Sequence, residues 1–282
     1  MHQQQLGRLK VSKVLDSYMA SAGLPVSMIF PDVTHDDMRK LASWCPLPEV
    51  TEDPTTSLIA LSVHSFVIQL DGQNILVDSC NGNHKTRALD MVDNLETPYL
   101  ENLAAVGLKP EDIHLVMCTH LHFDHVGWNT RLEGGRWVPT FPNARYLFGR
   151  VEYEHWTTQR EREDMVTVFA DSVQPILEAG LAELVEWDHQ ICPEVRLTPT
   201  TGPTPGHASV LIESNGEKAM ITGDFAHPPC QFARPDWSST ADVDPVQGEA
   251  TRRRVLGEVA GEPVLVIGTH FSGPTAGRVV AD

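Results

Sequence analysis

The 282-residue chain has no run of about 18 apolar residues, so no membrane-spanning helix is expected. Its first stretch, Met1 to Ser17, is polar and has no apolar run behind its basic residues, so no secretory leader is expected. Positive charge is scarce. Lys and Arg number 21 against 38 Asp and Glu, a net charge of -17, and no basic run stands out. Such a surface repels polyanions and argues against nucleic acid as a partner. Cysteine is sparse too. Cys45, Cys80, Cys118, Cys192 and Cys230 are scattered, odd in number and without a C-x-x-C pair. That pattern fits buried, reduced thiols in a cytoplasmic protein rather than a disulfide framework. Internal repeats and low-complexity tracts are absent. What remains is ordinary: 41% apolar and 21% charged residues, at a length that suits one large α/β domain or two small ones.

Residues 1–50 read as an N-terminal arm packed on a main domain of residues 51–282. The arm holds one short helix through Asp36, Met38 and Leu41, capped by Thr34, and a Pro- and Thr-rich connector runs from Cys45 to Ser57. Strand-like runs follow at Leu58 to Leu70 and Asn74 to Asp78, joined at Asp71-Gly72, then at Ile113 to Thr119 and Ala144 to Phe148. Helical spacing marks Pro98 to Val106 and residues 150–179, where Pro175 predicts a break near Gln174. A second batch of strands lies at Val195 to Thr198, Ala208 to Glu213, Lys218 to Thr222 and Pro263 to Thr269, with a helix near Thr251 to Ala260. Strands in two batches with helices between them predict an α/β fold of two sheets packed face to face, helices outside. The aperiodic, Pro-rich stretch from Ala226 to Val246 has the length of a functional lid.

The strongest chemical signal is Thr119-His120-Leu121-His122-Phe123-Asp124-His125-Val126-Gly127. His120 and His122 are two apart, so an extended backbone points both imidazoles the same way. Asp124 and His125 are adjacent, are expected to diverge, and could serve a second ion close to the first. Imidazole with carboxylate suits zinc and related divalent metals.

His-x-His-x-Asp-His after a strand resembles the signature of the metallo-β-lactamase superfamily. Four further elements occur in the family's order: Ile75-Leu76-Val77-Asp78-Ser79-Cys80, Thr204-Pro205-Gly206-His207, Thr222-Gly223-Asp224 and Gly268-Thr269-His270-Phe271. The resemblance implies a four-layer αββα fold. It also implies a pair of divalent ions, zinc in the first instance, with manganese and iron equally compatible with the ligands. By position, His120, His122 and His207 would hold one ion, Asp124, His125 and His270 the other, and Asp224 would bridge them. Asp78 would stand behind the ligands. One position departs from the pattern: Pro203 replaces a non-ligand histidine that often precedes the third ligand.

The same ligand set narrows the branch. Zinc β-lactamases generally lack the bridging aspartate, and the flavodiiron branch typically has glutamate where His122 stands. Nucleic-acid-processing branches usually carry a basic arm or an extra domain. Glyoxalase-like thioesterases usually append a basic segment beyond the last ligand, whereas only twelve residues follow His270. Lactonases, related carboxylesterases and organophosphate-hydrolase-like enzymes remain. The string Gly223 to Gln231 is similar to the last of these, with His227 three residues after Asp224.

The leading expectation is a dinuclear hydrolase that opens a lactone or cleaves a carboxylic ester with a metal-bridging hydroxide, since metal binding brings the pKa of water from 15.7 toward ~7. Asp124 would pass a proton to the leaving group, and His227 would donate to the substrate oxygen. Trp128, Phe225, Phe232, Trp237 and His64 are the expected substrate contacts. The runner-up is a phosphotriesterase-like hydrolase. The third reading is a metal-binding protein without catalysis. The expected partner is a small-molecule substrate, and the apolar Met28-Ile29-Phe30 could cover a partner subunit in a homodimer, or the cleft.

Overall fold

In the computed structural model, residues 3–44, 51, 53 and 55–280 are described. The chain divides into two units, one of Met1–Ser17 with Val63–His189, the other of Tyr18–Ser62 with Gln190–Asp282.

The strands of the first unit are β1 (Gln3–Leu6), β2 (Leu9–Pro25), β3 (Leu58–Leu70), β4 (Gln73–Val77), β5 (Leu115–Met117), β6 (Thr130–Glu133), β7 (Arg136–Pro139), β8 (Arg145–Gly149) and β9 (Ala182–Val185), with β2 and β3 running on into the second unit. Their sheet has the order β1-β2-β3-β4-β5-β8-β9, while β6 and β7 form a separate hairpin. β3 and β4 are antiparallel, and β4, β5, β8 and β9 are parallel. Strands covered on both faces need apolar side chains at successive positions rather than at alternate ones. Ile75-Leu76-Val77, Leu115-Val116-Met117 and Tyr146-Leu147-Phe148 meet that need, and all nine side chains are buried. Each such burial contributes roughly 1.5–3 kcal/mol.

The second unit holds β10 (Gln190–Cys192), β11 (Val195–Pro199), β12 (Ala208–Ser214), β13 (Glu217–Ile221), β14 (Val264–Ile267) and β15 (Ala276–Gly277), in that order across one mixed sheet. β10 to β13 form an antiparallel meander, and β13 and β14 are parallel. Between those two strands runs the helix Pro245–Val259, whose Val255 and Val259 pack with Met220, Phe225 and Val266.

Several expectations need amendment. The arm was expected to hold one helix. That helix is present as His35–Trp44, with Thr34 and Asp37 capping reciprocally: Thr34 Oγ1 accepts the Asp37 amide and Asp37 Oδ2 accepts the Thr34 amide. Residues 3–25, however, are mostly strand, because Leu9, Val11 and Val14 are buried while Lys10 and Lys13 are not. Cys45 and most of the connector after it lie outside the described residues. The Met28–Phe30 segment is held within the second unit: Thr240 donates to the Met28 and Ile29 carbonyls, and Phe30 packs on Trp237 with ring centroids 5.9 Å apart. The helix expected from Thr251 starts six residues earlier, with Asp244 accepting the Gln247 amide at 2.9 Å and Pro245 opening the first turn.

The break foreseen near Gln174 takes the form of a π-helical turn, Phe169–Val173, just before Pro175. Proline cannot supply the next helical hydrogen bond, and widening the preceding turn accommodates its ring. A buried cluster pins that turn. Arg87 donates to both oxygens of Asp171 at 2.7 and 3.1 Å, and the Lys85 ammonium donates to the Asp171 carbonyl at 3.0 Å and to Thr130 Oγ1 at 2.7 Å. Among the described residues no helix is long and apolar enough to cross a membrane. Cys80, Cys118, Cys192 and Cys230 are free thiols.

Burial lowers the Lys85 ammonium to about 7, against the pull of Asp171. The unfolded chain keeps this proton up to about 10.5, so between these pH values it binds more protons than the folded chain, and stability rises with pH. From pH 7 to 9 the wild type is expected to gain on the order of 1–2 kcal/mol relative to Lys85→Met in urea unfolding. Identical pH slopes for the two proteins would contradict a buried, readily deprotonated Lys85.

Candidate metal centre

In the first unit the site residues sit at the C-terminal ends of the parallel strands, where crossing connections leave an open edge. Asp78 follows β4 directly, with φ of 58°. Left-handed backbone is uncommon for a residue with a Cβ, and aspartate is among those that tolerate it. Asp78 Oδ1 accepts the Thr119 amide at 2.7 Å, and Oδ2 lies 3.0 Å from Thr119 Oγ1 and 2.9 Å from His125 Nδ1. One carboxylate therefore ties the end of β4 to the loop leaving β5 and orients the imidazole of His125. A proton on Nδ1 puts the lone pair of the ring on Nε2, the atom a cation would meet.

His120 and His122 lie on that loop. The backbone of His122 is extended, but the chain bends at Thr119 and His120, the two rings stand at 77° to each other, and His120 Nε2 comes within 2.9 Å of His122 Nδ1. The rings of His120 and His125 are 4.0 Å apart between centroids. Asp124 and His125 do not diverge as expected. They share one helical turn, Phe123–Val126, where neighbours are offset by about 100° rather than the 180° of a strand. Asp124 Oδ1 consequently lies 3.6 Å from His125 Nε2. Three imidazoles and a carboxylate crowd into one region with ring nitrogens converging. Protonated imidazoles so close would repel one another, whereas neutral ones match the preference of a divalent cation.

The second unit carries the other expected ligands at one edge of its sheet. His207 precedes β12, Asp224 follows β13 and His270 follows β14. The His270 Nδ1 lies 3.1 Å from the Ser62 carbonyl, which fixes that nitrogen as the donor and turns Nε2 toward Asp224 Oδ1 at 3.1 Å. His207 Nδ1 lies 2.8 Å from Thr200 Oγ1. Its Nε2 accepts the Asp224 backbone amide at 2.7 Å, so coordination through that atom requires this bond to be given up. His227 Nε2 lies 3.3 Å from Asp224 Oδ2, and its ring stacks on His270 at 5.6 Å and 7°. Gln231 fixes the His227 backbone by accepting its amide at 2.7 Å.

The expected substrate contacts divide. His227 stands among the expected ligands of its unit. Trp128 is buried, stacks on Tyr99 at 5.3 Å and donates its indole N–H to Asp16 at 3.0 Å. Phe225 belongs to the apolar cluster under the Pro245–Val259 helix, and Trp237 is buried between Phe30 and the Arg234 guanidinium. His64 is buried on β3 with its ring edge-on to Phe66. Phe232 and Phe271, in contact at 5.7 Å, line a cavity of about 700 Å³ together with Leu256, Val266 and Val279. Cys80 is no candidate nucleophile, because burial pushes its thiol up and away from the thiolate form.

Two acidic residues unmarked by any motif also support the ligand loops of the first unit. Asp16 on β2 accepts the Asn81 amide, the Asn81 side chain and the Trp128 indole, and burial raises its carboxyl above the usual range. Glu152 accepts the Leu121 amide at 3.0 Å. The contacts that reach these loops, from Asp16 to Asn81 and Trp128 and from Glu152 to Leu121, join residues far apart in sequence, and nothing in local spacing announces them. Gly82 and Gly127 permit a close approach of two backbones: a Cβ on Gly127 would lie 1.8 Å from the Asn81 carbonyl oxygen.

The metallo-beta-lactamase superfamily domain matches residues 58–270 of the chain. The chain belongs to that superfamily. Its fold is the metallo-β-lactamase fold, α/β with two mixed sheets, and it is a hydrolase of that superfamily. Relatives include an N-acyl homoserine lactonase of Bacillus thuringiensis, 26% identical over 257 residues that cover 90% of this chain and 92% of the relative. Two solved structures share the fold. The hydrolase AbOPH has a TM-score of 0.80 at 23% identity, covering 100% of this chain and 93% of the other. The dizinc quorum-quenching lactonase AidC, solved with a product, has a TM-score of 0.78 at 19% identity, covering 99% and 93%.

Asp78→Asn is expected to weaken divalent-metal binding about 10–100-fold, read by competition with a chromophoric chelator. Unchanged affinity would show that Asp78 does not set the tautomer of His125.

Proposed function

We propose that this metallo-β-lactamase superfamily member is a dinuclear metal hydrolase that opens a lactone or cleaves a carboxylic ester. The observation that carries the reading is a repeated device. His125 is held at Nδ1 by Asp78 and His270 at Nδ1 by the Ser62 carbonyl, and each presents Nε2 toward an aspartate oxygen. That is how histidines are prepared for metal ligation. The proposed ligands are His120, His122 and His207 for one ion, Asp124, His125 and His270 for the other, and Asp224 for both. Zinc is the first candidate, since imidazole and carboxylate suit it and AidC is a dizinc enzyme. When bound, such a pair supplies hydroxide at neutral pH and polarises the substrate carbonyl.

The remaining work falls to side chains. His227, held by Gln231 and stacked on His270, is placed to donate a hydrogen bond to a substrate oxygen. Asp124 is the carboxylate proposed to carry a proton from the attacking water to the leaving alkoxide. The lactonase relative favours a lactone with an acyl chain as the substrate class. The runner-up, phosphotriester hydrolysis, draws on His227 pairing with Asp224 in the string the chain shares with organophosphate-hydrolase-like enzymes. The free thiols suit a reducing compartment such as the cytoplasm.

Purified protein is expected to contain two equivalents of divalent metal and to hydrolyse N-acyl homoserine lactones in preference to a paraoxon-type phosphotriester. Chelation should abolish turnover, and Asp124→Asn should lower kcat about 10²–10⁴-fold. Metal-replete protein inert on lactones and simple esters would overturn the assignment. Turnover of the phosphotriester alone would establish the runner-up.

A further inference from the structure

We propose that Glu152 is a positioning residue for the metal ligands, fixing the peptide between His120 and His122 and with it the placement of their imidazoles, whose ring centroids lie 4.5 Å apart. The inference rests on the dinuclear reading above and concerns a contact made by no ligand.

Glu152 lies in the first turn of the helix Arg150–Gln159, which starts where β8 ends. β8 pairs in parallel with β5, so the helix begins beside the loop that leaves β5 with the two histidines. The Glu152 side chain is buried, and its Oε1 accepts two hydrogen bonds: the Leu121 amide at 3.0 Å and the Trp156 indole N–H at 2.6 Å. Leu121 is the residue between the ligands. Its side chain is fully buried, so its amide cannot turn to water, and a buried amide without an acceptor would be costly. Trp156 stands one helical turn beyond Glu152, with its ring edge-on to His122 at 5.5 Å. A single carboxylate oxygen therefore sets the peptide between the two ligands and, through the indole, the ring packed against the second of them.

Neither donor demands a charged acceptor. A peptide N–H and an indole N–H are both satisfied by a neutral oxygen. The negative charge adds something else. An ionised carboxylate buried beside the histidine loop would favour a cation at the imidazoles, with less screening than in water. Glu152 thus combines a geometric part and an electrostatic part, and substitution separates them. Glu152→Gln keeps an oxygen acceptor and removes the charge. Glu152→Ala removes both.

The test uses metal-loaded full-length protein. Release of bound metal into excess chelator is followed in time, and thermal unfolding of the metal-free proteins is measured alongside. Glu152→Ala is expected to release metal about 10–100-fold faster than wild type, and Glu152→Gln to fall between the two. Trp156→Phe, which loses only the indole donor, should change release by a few-fold at most. Unaltered release from Glu152→Ala, with only the metal-free melting temperature lowered, would make Glu152 a packing residue and overturn the proposal. Should Glu152→Ala fail to fold, Glu152→Gln decides: faster release supports the proposal and wild-type release refutes it. Wild-type protein that takes up no metal would sink the dinuclear reading itself. Loaded wild type with unaffected variants sinks only the part given to Glu152.

Discussion

The carboxylate of Asp78 is the point on which the first unit's chemistry turns. With two oxygens it meets the Thr119 amide, the Thr119 hydroxyl and His125 Nδ1, and it does so from a left-handed backbone position at the end of a strand whose last three residues are buried. The position is strained for a residue with a Cβ, and strain of this kind persists where surrounding structure over-determines it. Here the surroundings are the three buried runs of β4, β5 and β8. Because those strands are parallel, their C-terminal ends lie at one edge. Asp78, the histidine loop and Glu152 leave the sheet at successive strands along that edge. Core packing and site geometry are thus a single constraint: apolar side chains fix strand register, and strand register fixes where the polar groups emerge.

The second unit solves a similar problem by other means. Its His270 is oriented by a backbone carbonyl, that of Ser62, in place of a carboxylate. The Ser62 amide in turn donates to the His270 carbonyl at 3.1 Å, so side chain and main chain are held by the same residue. Carbonyl and carboxylate both specify which ring nitrogen bears the proton. The carboxylate also places a negative charge beside its histidine, which the carbonyl does not.

Much of this was legible in the sequence, for identifiable reasons. A ligand string of three histidines and an aspartate has few alternative explanations, and buried parallel strands show as unbroken apolar runs. The break before Pro175 followed from the missing amide of proline, whereas its form, a π-turn, did not. Three kinds of feature escaped. Residues 3–25 were read as an arm because Lys10, Lys13 and Asp16 interrupt the apolar pattern, although Leu9, Val11 and Val14 are buried. The Asp244-Pro245 helix start passed unnoticed inside a stretch that looked like loop throughout. Asp16 and Glu152 carry no local mark at all, since their partners lie at Asn81, Trp128 and Leu121 and the relation exists only once the chain is folded. The aromatic residues show the opposite error. Phe225, Trp128 and Trp237 stand near ligands in sequence, yet each is occupied in packing within its own unit.

The contact of Gly127 with the Asn81 carbonyl has a consequence for how such a protein diversifies. Two main chains touch there with no space for even a methyl group, so the histidine helix and the loop after Asp78 behave as one welded part that substitution cannot shim apart. New specificities must then arise elsewhere. The stretch from Phe232 to Val246, which lies beyond His227 and Gln231 and is held by the Arg252 side chain among others, is where mutational libraries should find room to change what is hydrolysed.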